Sequence, residues 1–145
     1  MPTFREVTIR IESRIEELDA AGLSMGEPEI TSSRAVGYLR FGEGDTVLTY
    51  TESCEGGRVS TEITVSADTV TVARSGAIES VLRFREGEEH SSLYAIPPYK
   101  FDVKVLCRRM RCDLTDTGGT IDVLYNMSIG GADKAVRMKI WMQAS

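Results

Sequence analysis

The stretch that decides the fold of this chain runs from Asp68 to Lys100 and contains DTVTVARSGAIESVLRFREGEEHSSLYAIPPYK. Apolar and polar residues alternate in three short runs within it, and a period of two is typical of β-strands. Ser75-Gly76 and Glu86-Gly87-Glu88 separate the runs, and the third run ends at Pro97-Pro98, whose residues cannot donate hydrogen bonds to a sheet. The stretch therefore predicts three consecutive strands joined by tight turns.

Arg74 interrupts the first of these runs, because its parity places it on the same face as Val70 and Val72. A guanidinium on the inward face of a sheet is costly unless acceptors bind it. Two interpretations stay open: a structural arginine held by hydrogen bonds, and an anchor for an anionic ligand. Under both, the side chain is predicted to point inward and to be bound by acceptors.

The same alternation recurs along the rest of the chain between glycine-rich turns. Phe4 to Glu17 also fits one face of a helix, but its β-branched residues favour a strand. Asp19 to Glu29 is predicted to be a loop, either a mobile lid or a simple connection, and Gly37 predicts a kink or bulge. Between Tyr99 and Leu114 the apolar positions change parity near Leu106, which predicts a β-bulge there.

These patterns give about ten strands and no helix of ordinary length. Strands joined by tight turns pair antiparallel, and a long meander leaves unpaired edges unless it closes. The sequence therefore predicts an all-β fold, with residues 1–145 forming a single up-and-down antiparallel β-barrel of about eight to ten strands. A β-sandwich is the alternative, although it would normally need longer connections.

Composition excludes several classes of protein. The 145 residues carry a formal net charge of -5, which argues against a nucleic-acid surface and against an anionic membrane partner. The N-terminus has no apolar core typical of a secretory signal, and the cysteine count is odd. Cys107 and Cys112 are five residues apart, so on one regular strand they would face opposite sides and could not pair. We expect free thiols and a cytoplasmic location, and we leave monomer or homodimer open.

No pattern in the chain supports a reaction. The one histidine, His90, follows Glu88 and Glu89, and we expect it to be an exposed turn residue rather than a metal ligand. No G-x-S-x-G motif and no phosphate-binding loop ahead of a helix occurs. We therefore predict no catalytic residue, no metal, no cofactor and no enzymatic activity.

The remaining candidate site is a set of polar side chains on apolar faces. Tyrosine combines an apolar body with a polar tip, and an arginine fork selects a carboxylate or a phosphate. The predicted ligand-binding residues are Arg74, Tyr50, Tyr94, Tyr125 and Arg109. One hypothesis is a barrel that binds a small amphipathic or anionic ligand in its interior. The alternative is a filled barrel that serves as a protein-interaction or assembly module, with the tyrosines as ordinary core residues.

The order of these elements resembles the YwiB-like family of uncharacterised bacterial proteins, which have a calycin-type, lipocalin-like β-barrel. The residues that carry the resemblance are Thr8 to Ile11, Val70 to Gly76, Leu82 to Phe84 with Gly87, Tyr94 to Tyr99, and Tyr125 to Met127. At Ile96 to Lys100 the chain departs from the family's usual pair of residues before an aromatic and a glycine. The resemblance implies a closed barrel and no established activity, and fold alone does not fix function.

Overall fold

A computed structural model of the chain describes residues 3–145, and these form ten β-strands. The strands are β1 (Thr3–Leu18), β2 (Ser24–Phe41), β3 (Thr46–Cys54), β4 (Gly57–Val65), β5 (Val70–Gly76), β6 (Glu79–Phe84), β7 (Glu89–Ile96), β8 (Tyr99–Thr115), β9 (Gly118–Ile129) and β10 (Ala132–Ala144).

Each strand pairs antiparallel with the next one in the chain, and β1 also pairs with β10, so the sheet closes into a barrel. The predicted all-β fold and the up-and-down barrel are confirmed, and the sandwich alternative is wrong. Closure removes most of the free edges that a ten-stranded meander would otherwise leave. No helix in the described residues is long and apolar enough to cross a membrane.

The central stretch forms β5, β6 and β7 as predicted. The first turn lies at Ala77 and Ile78 rather than at Ser75-Gly76, because Gly76 is still part of β5 and pairs with Val59. Pro97 and Pro98 form the turn between β7 and β8, where the flanking residues are register partners. A turn is where the missing amide hydrogens of two prolines are tolerated.

The N-terminal segment is a strand, as its β-branched residues predict, but the loop predicted for Asp19 to Glu29 is confirmed only over Asp19 to Leu23. Only the turn between Leu18 and Ser24 is irregular, because β2 begins at Ser24 and pairs with β1 from its first residue. Glycines and a proline suggested a loop here. Instead, the pairing of β2 with β1 shifts register between Ile15 and Glu17, and the extra residues of β2 between Met25 and Glu29 form a bulge in the ladder.

The predicted bulge in β8 is present between Cys107 and Arg109, which makes Arg108 the extra residue. This extra residue reverses which face the following side chains point to, so Cys107 and Cys112 both lie on the inward face. The parity argument against their pairing was therefore wrong, since it assumed a regular strand. The predicted outcome is nevertheless confirmed, because all three cysteines are free.

A continuous cluster of buried apolar side chains occupies most of the barrel interior. Phe84 is fully buried at its centre, and its ring lies 4.6 Å from that of Tyr125, centroid to centroid. Aromatic pairs at such distances add to the stability that burial alone gives. The apolar filling gives way to polar side chains at one end of the barrel.

Candidate functional site

The polar end of the barrel is built by one row of register partners across five strands. Tyr50 of β3 pairs with Thr61 of β4, Thr61 with Arg74 of β5, Arg74 with Ser80 of β6, and Ser80 with Tyr94 of β7. Register partners on adjacent strands point to the same face of a sheet. These five residues, called the polar row below, therefore all face the interior.

Arg74 is half-buried and points inward, as its parity predicts. Burial raises the pKa of both Tyr50 and Tyr125, and the positive charge of Arg74 partly offsets the rise in each. The charge of Arg74 therefore acts on tyrosines of two separate strands, β3 and β9.

The predicted binding of Arg74 by protein acceptors is wrong. Within residues 3–145, its guanidinium forms neither a salt bridge nor a hydrogen bond. A half-buried guanidinium without acceptors is costly unless water or a ligand supplies them. Its register partners Thr61 and Ser80 carry hydroxyls that could accept from it, but neither forms such a bond, and neither supplies a carboxylate.

Thr61 and Ser80, on either side of Arg74, are the two site residues that the sequence prediction missed. They are 3% and 5% exposed, and the hydroxyl oxygen of Ser80 is buried without a hydrogen-bond partner among the described residues. Burial is the largest effect on the pKa of Tyr50, which it raises. The hydroxyl of Thr61 lies beside that of Tyr50 and lowers this pKa slightly, although no hydrogen bond of good geometry joins the two. The sequence contains the signal, because Thr61 lies two residues before Ile63 and Ser80 lies two residues before Leu82, so each polar residue shares an inward face with an apolar one. A polar residue at an inward position marks a candidate site whether or not it is charged.

Two tyrosines of the site, Tyr50 and Tyr125, have raised pKa values and keep their phenolic protons at ordinary pH. Burial raises the pKa of Tyr125 to about 12, with the charge of Arg74 opposing that rise and the nearby Tyr94 adding to it. Burial likewise raises the pKa of Tyr50, against the lowering effect of Arg74. A phenol that keeps its proton can donate a hydrogen bond to an anion.

Arg109, the fifth predicted ligand-binding residue, does not lie with the others. It follows the bulge in β8, so its side chain is exposed on the outer face, next to Glu86 and Asp122. The prediction placed it inward by extending the parity of Val105 and Cys107 past the bulge, and the extra residue reverses that parity.

Glu52 adds a carboxylate to the same end of the barrel. It lies two residues beyond Tyr50 on the inward face of β3 and is half-buried. Burial is the largest cause of the raised pKa of Tyr50. Arg74 opposes the rise, and the negative charge of Glu52 adds to it by a smaller amount. Glu52 and Arg74 are not within salt-bridge distance of each other.

The polar row opens into a cavity of about 550 Å³. Strands β2 and β3 pair only from Gly37 to Arg40, so the part of β2 before Gly37 pairs with β1 alone and β3 has no partner in β2 beyond Tyr50. Residues of both faces line the cavity, including Tyr50, Thr61 and Arg74 from inside and Val36 and Tyr38 from outside. Most of its lining residues belong to the outer face of β2 to β5, and Ser80 and Tyr94 are not among them, so the cavity meets the polar row only at Tyr50, Thr61 and Arg74. Its volume suits a small ligand.

His90 lies in β7 and is half-buried, so its predicted placement in an exposed turn is wrong. Its register partner Val105 is buried, which places His90 on the inward side, and its Nε2 atom is buried without a partner. Among residues 3–145, no cluster of three or more His, Cys, Asp or Glu side chains could hold a metal ion.

Comparison with known proteins gives a consistent result. A family model described as "Domain of unknown function (DUF1934)" matches residues 19–140. The chain is 27% identical to the uncharacterized beta-barrel protein YwiB of Bacillus subtilis (strain 168) over 124 residues. This alignment covers 86% of this chain and 82% of YwiB. It also matches the crystal structure of the ywiB protein from Bacillus subtilis with a TM-score of 0.85 and 26% identity, over 98% of this chain and 93% of the other. The predicted resemblance is confirmed in both sequence and fold.

Proposed function

The chain belongs to the DUF1934 family of uncharacterised β-barrel proteins, and from that premise we propose that it binds a small amphipathic or anionic molecule at the polar end of its barrel. The binding residues are Arg74, Tyr50, Tyr94 and Tyr125 from the sequence prediction, together with Thr61 and Ser80. Arg109 is not part of this site. The proposal is one of binding without a reaction, in the cytoplasm.

One observation carries the proposal: Arg74 forms no salt bridge or hydrogen bond within the described residues, and the hydroxyl of its register partner Ser80 is buried without a partner there. Each buried polar group without a partner costs about 1–3 kcal/mol. Valine at position 61 and alanine at position 80 would fit the same inward faces without that cost. Groups that reduce stability in this way are typical of sites at which a ligand completes the hydrogen bonds.

The cavity provides the access that such a ligand needs. Its volume lies in the range of small-molecule pockets, and it combines apolar walls with a few polar groups that fix orientation. The buried apolar cluster closes the interior beyond Tyr125, so a ligand is held at this end rather than along the whole barrel.

Native mass spectrometry of the protein isolated from its own host tests the proposal. We expect a co-purified small molecule whose mass is carried by the wild-type chain and lost from Arg74→Met. The matched control is Arg83→Met, because Arg83 is exposed on β6 and does not line this cavity. Protein that carries no ligand, and binds none from a host metabolite extract, would contradict the proposal.

The interaction module remains the second candidate, and the free edge of β2 favours it. From Ser24 to Val36 the side of β2 that faces away from β1 has no strand partner within residues 3–145. Ile30, Val36 and Tyr38 are exposed along the same strand. An unpaired edge with exposed apolar side chains is a template for pairing with another chain. Sedimentation velocity of the wild-type chain and of Ile30→Lys, over a range of concentrations, tests self-association; a wild-type chain that stays monomeric throughout would refute pairing between copies.

A further inference from the structure

We propose that the ligand bound at Arg74 is an amphiphile with an anionic head, and that its apolar part lies on the inward face of the hairpin formed by β7 and β8. This inference rests on the proposed function and names both the class of ligand and the residues that hold its tail. Three apolar side chains form this surface, called the apolar shelf below: Ile96, Tyr99 and Phe101.

The apolar shelf points to the same face of the sheet as the polar row. Tyr94, the last residue of the polar row, pairs with Phe101 of β8. Two positions further along the same hairpin, Ile96 pairs with Tyr99. Register partners point to one face, and residues two apart on a strand share a face, so all three shelf side chains face inward. The apolar shelf therefore continues the inner wall that the polar row forms.

The apolar shelf is exposed although it faces inward. Ile96, Tyr99 and Phe101 are 45%, 66% and 37% exposed. On one side β6 pairs with β7 no further than Ala95, and on the other side β9 pairs with β8 only from Val103. The tip of the hairpin therefore projects past both neighbouring strands, which leaves its inward face open to solvent. Exposed apolar surface of this kind marks a place where a ligand or a partner binds.

Tyr94 joins the apolar shelf to the charge of Arg74. Its half-buried ring packs against the buried apolar cluster of the interior. Burial raises the pKa of Tyr125, the charge of Arg74 opposes that rise, and Tyr94 adds to it. Because both residues act on the same phenol, Arg74 and Tyr94 both lie near Tyr125 inside the barrel. The apolar shelf begins at the register partner of Tyr94, so the cation and the shelf belong to one surface.

The direction from Arg74 to the apolar shelf leads away from Glu52, the carboxylate at this end of the barrel. Glu52 lies on β3, two strands from β5 on one side, whereas the hairpin of β7 and β8 begins two strands from β5 on the other side. Arg74 is the one charged residue of the polar row and has no salt bridge within residues 3–145. A ligand that extends from Arg74 toward the hairpin therefore meets a cation first and apolar side chains next.

The spacing of the strands sets the general form of the ligand. Adjacent strands lie about 4.8 Å apart, so the three steps from Arg74 to Phe101 span roughly 14 Å along the wall. A short anion can bind Arg74 but leaves the apolar shelf uncovered. An anion with a medium-length alkyl chain can reach both, and covering the shelf removes apolar surface from water, which favours binding.

Calorimetric titration with a homologous series of anions tests this inference. Butanoate, octanoate and decanoate share one head and differ only in chain length. We expect the affinity to rise by about two- to four-fold for each methylene that the apolar shelf covers. Octyl phosphate is measured beside octanoate, so that the outcome does not depend on the type of anionic head. Decylamine reverses the charge of the head and should bind at least about ten-fold more weakly than decanoate.

Variants on the two faces of the hairpin locate the tail. Ile96→Ser and Tyr99→Ser should each weaken decanoate binding by about three- to ten-fold and change butanoate binding by less than about two-fold. The matched control is Leu93→Ser, because Leu93 is 57% exposed on the outward face of the same hairpin. It should change the binding of both anions by less than about two-fold. All three positions are exposed, so these variants are expected to fold.

The outcomes separate this inference from the proposed function. If butanoate and decanoate bind equally well, the inference is overturned and the proposed function stands. The same holds if the effect of chain length survives both Ile96→Ser and Tyr99→Ser, or is lost to the same extent in Leu93→Ser. If no anion of the series, including octyl phosphate, binds at millimolar concentration, or if decylamine binds as tightly as decanoate, both are refuted.

Discussion

Replacing Arg74 by methionine should make the protein more stable, although it removes the centre of the proposed site. The guanidinium is half-buried and has no salt bridge or hydrogen bond within residues 3–145. Proteins lose about 1–3 kcal/mol when a polar group is buried without a partner. The lower end of that range applies here, because the cavity leaves the guanidinium in contact with water. Methionine keeps a flexible stem against the same neighbours, so we expect a gain of about 1 kcal/mol.

Urea unfolding followed by circular dichroism measures this change. For a chain of this size, a gain of about 1 kcal/mol corresponds to a rise of roughly 2–4 °C in Tm, with an unchanged dependence on urea. Arg58→Met is the matched control and should stay within about 0.5 kcal/mol of wild type, because Arg58 is exposed. If Arg74→Met instead lowered the stability by more than about 1 kcal/mol, Arg74 would be a structural residue held by protein groups, and the reasoning from its unpaired state would be refuted.

Three further outcomes follow from the structure. Gly37→Ala should destabilise the barrel by about 1–3 kcal/mol in urea, because a Cβ at this position would collide with the backbone oxygen of Thr49; an unchanged urea midpoint would show that β2 can move aside. Tyr125→Phe should remove a loss of stability between pH 10 and 12, measured as urea midpoints across that range. Burial raises the pKa of Tyr125 to about 12 when folded, against about 10 unfolded, so the folded state binds more protons and stability falls as pH rises through this window; equal pH profiles for the two proteins would contradict this. Thiol titration of the denatured chain without reductant should find all three cysteines free, and a count of one would reveal a disulfide.

The barrel could be predicted from the sequence because one physical signal repeats in every strand. In β6, Ser80, Leu82 and Phe84 are buried while the residues between them are exposed, and the same period recurs around the sheet. Short turns then leave antiparallel pairing of neighbours as the simplest arrangement. Closure follows, since ten strands in one open sheet would expose two long edges.

The errors arose where one residue changes the parity of a strand or where turn-forming residues lie inside a ladder. Arg108 is the extra residue in β8, and it moves Arg109 from the predicted inward face to the outer surface. The alternation of apolar and polar residues predicts a bulge near Leu106, but it does not show which residue is the extra one. In β2, Gly26 and Pro28 have the composition of a loop, yet they form a bulge between Met25 and Glu29, which both pair with β1. Tertiary pairing here outweighs local preference.

The site itself depends on a property that no single strand shows. Arg74 could be placed inward from Val70 and Val72 alone, but its lack of a counter-charge depends on what β4 and β6 bring to the same row. Those strands supply Thr61 and Ser80, whose hydroxyls can accept as well as donate hydrogen bonds, yet neither bonds to the guanidinium. The unsatisfied state of Arg74 therefore depends on where three neighbouring strands place their side chains, which the alternation within any one strand cannot show.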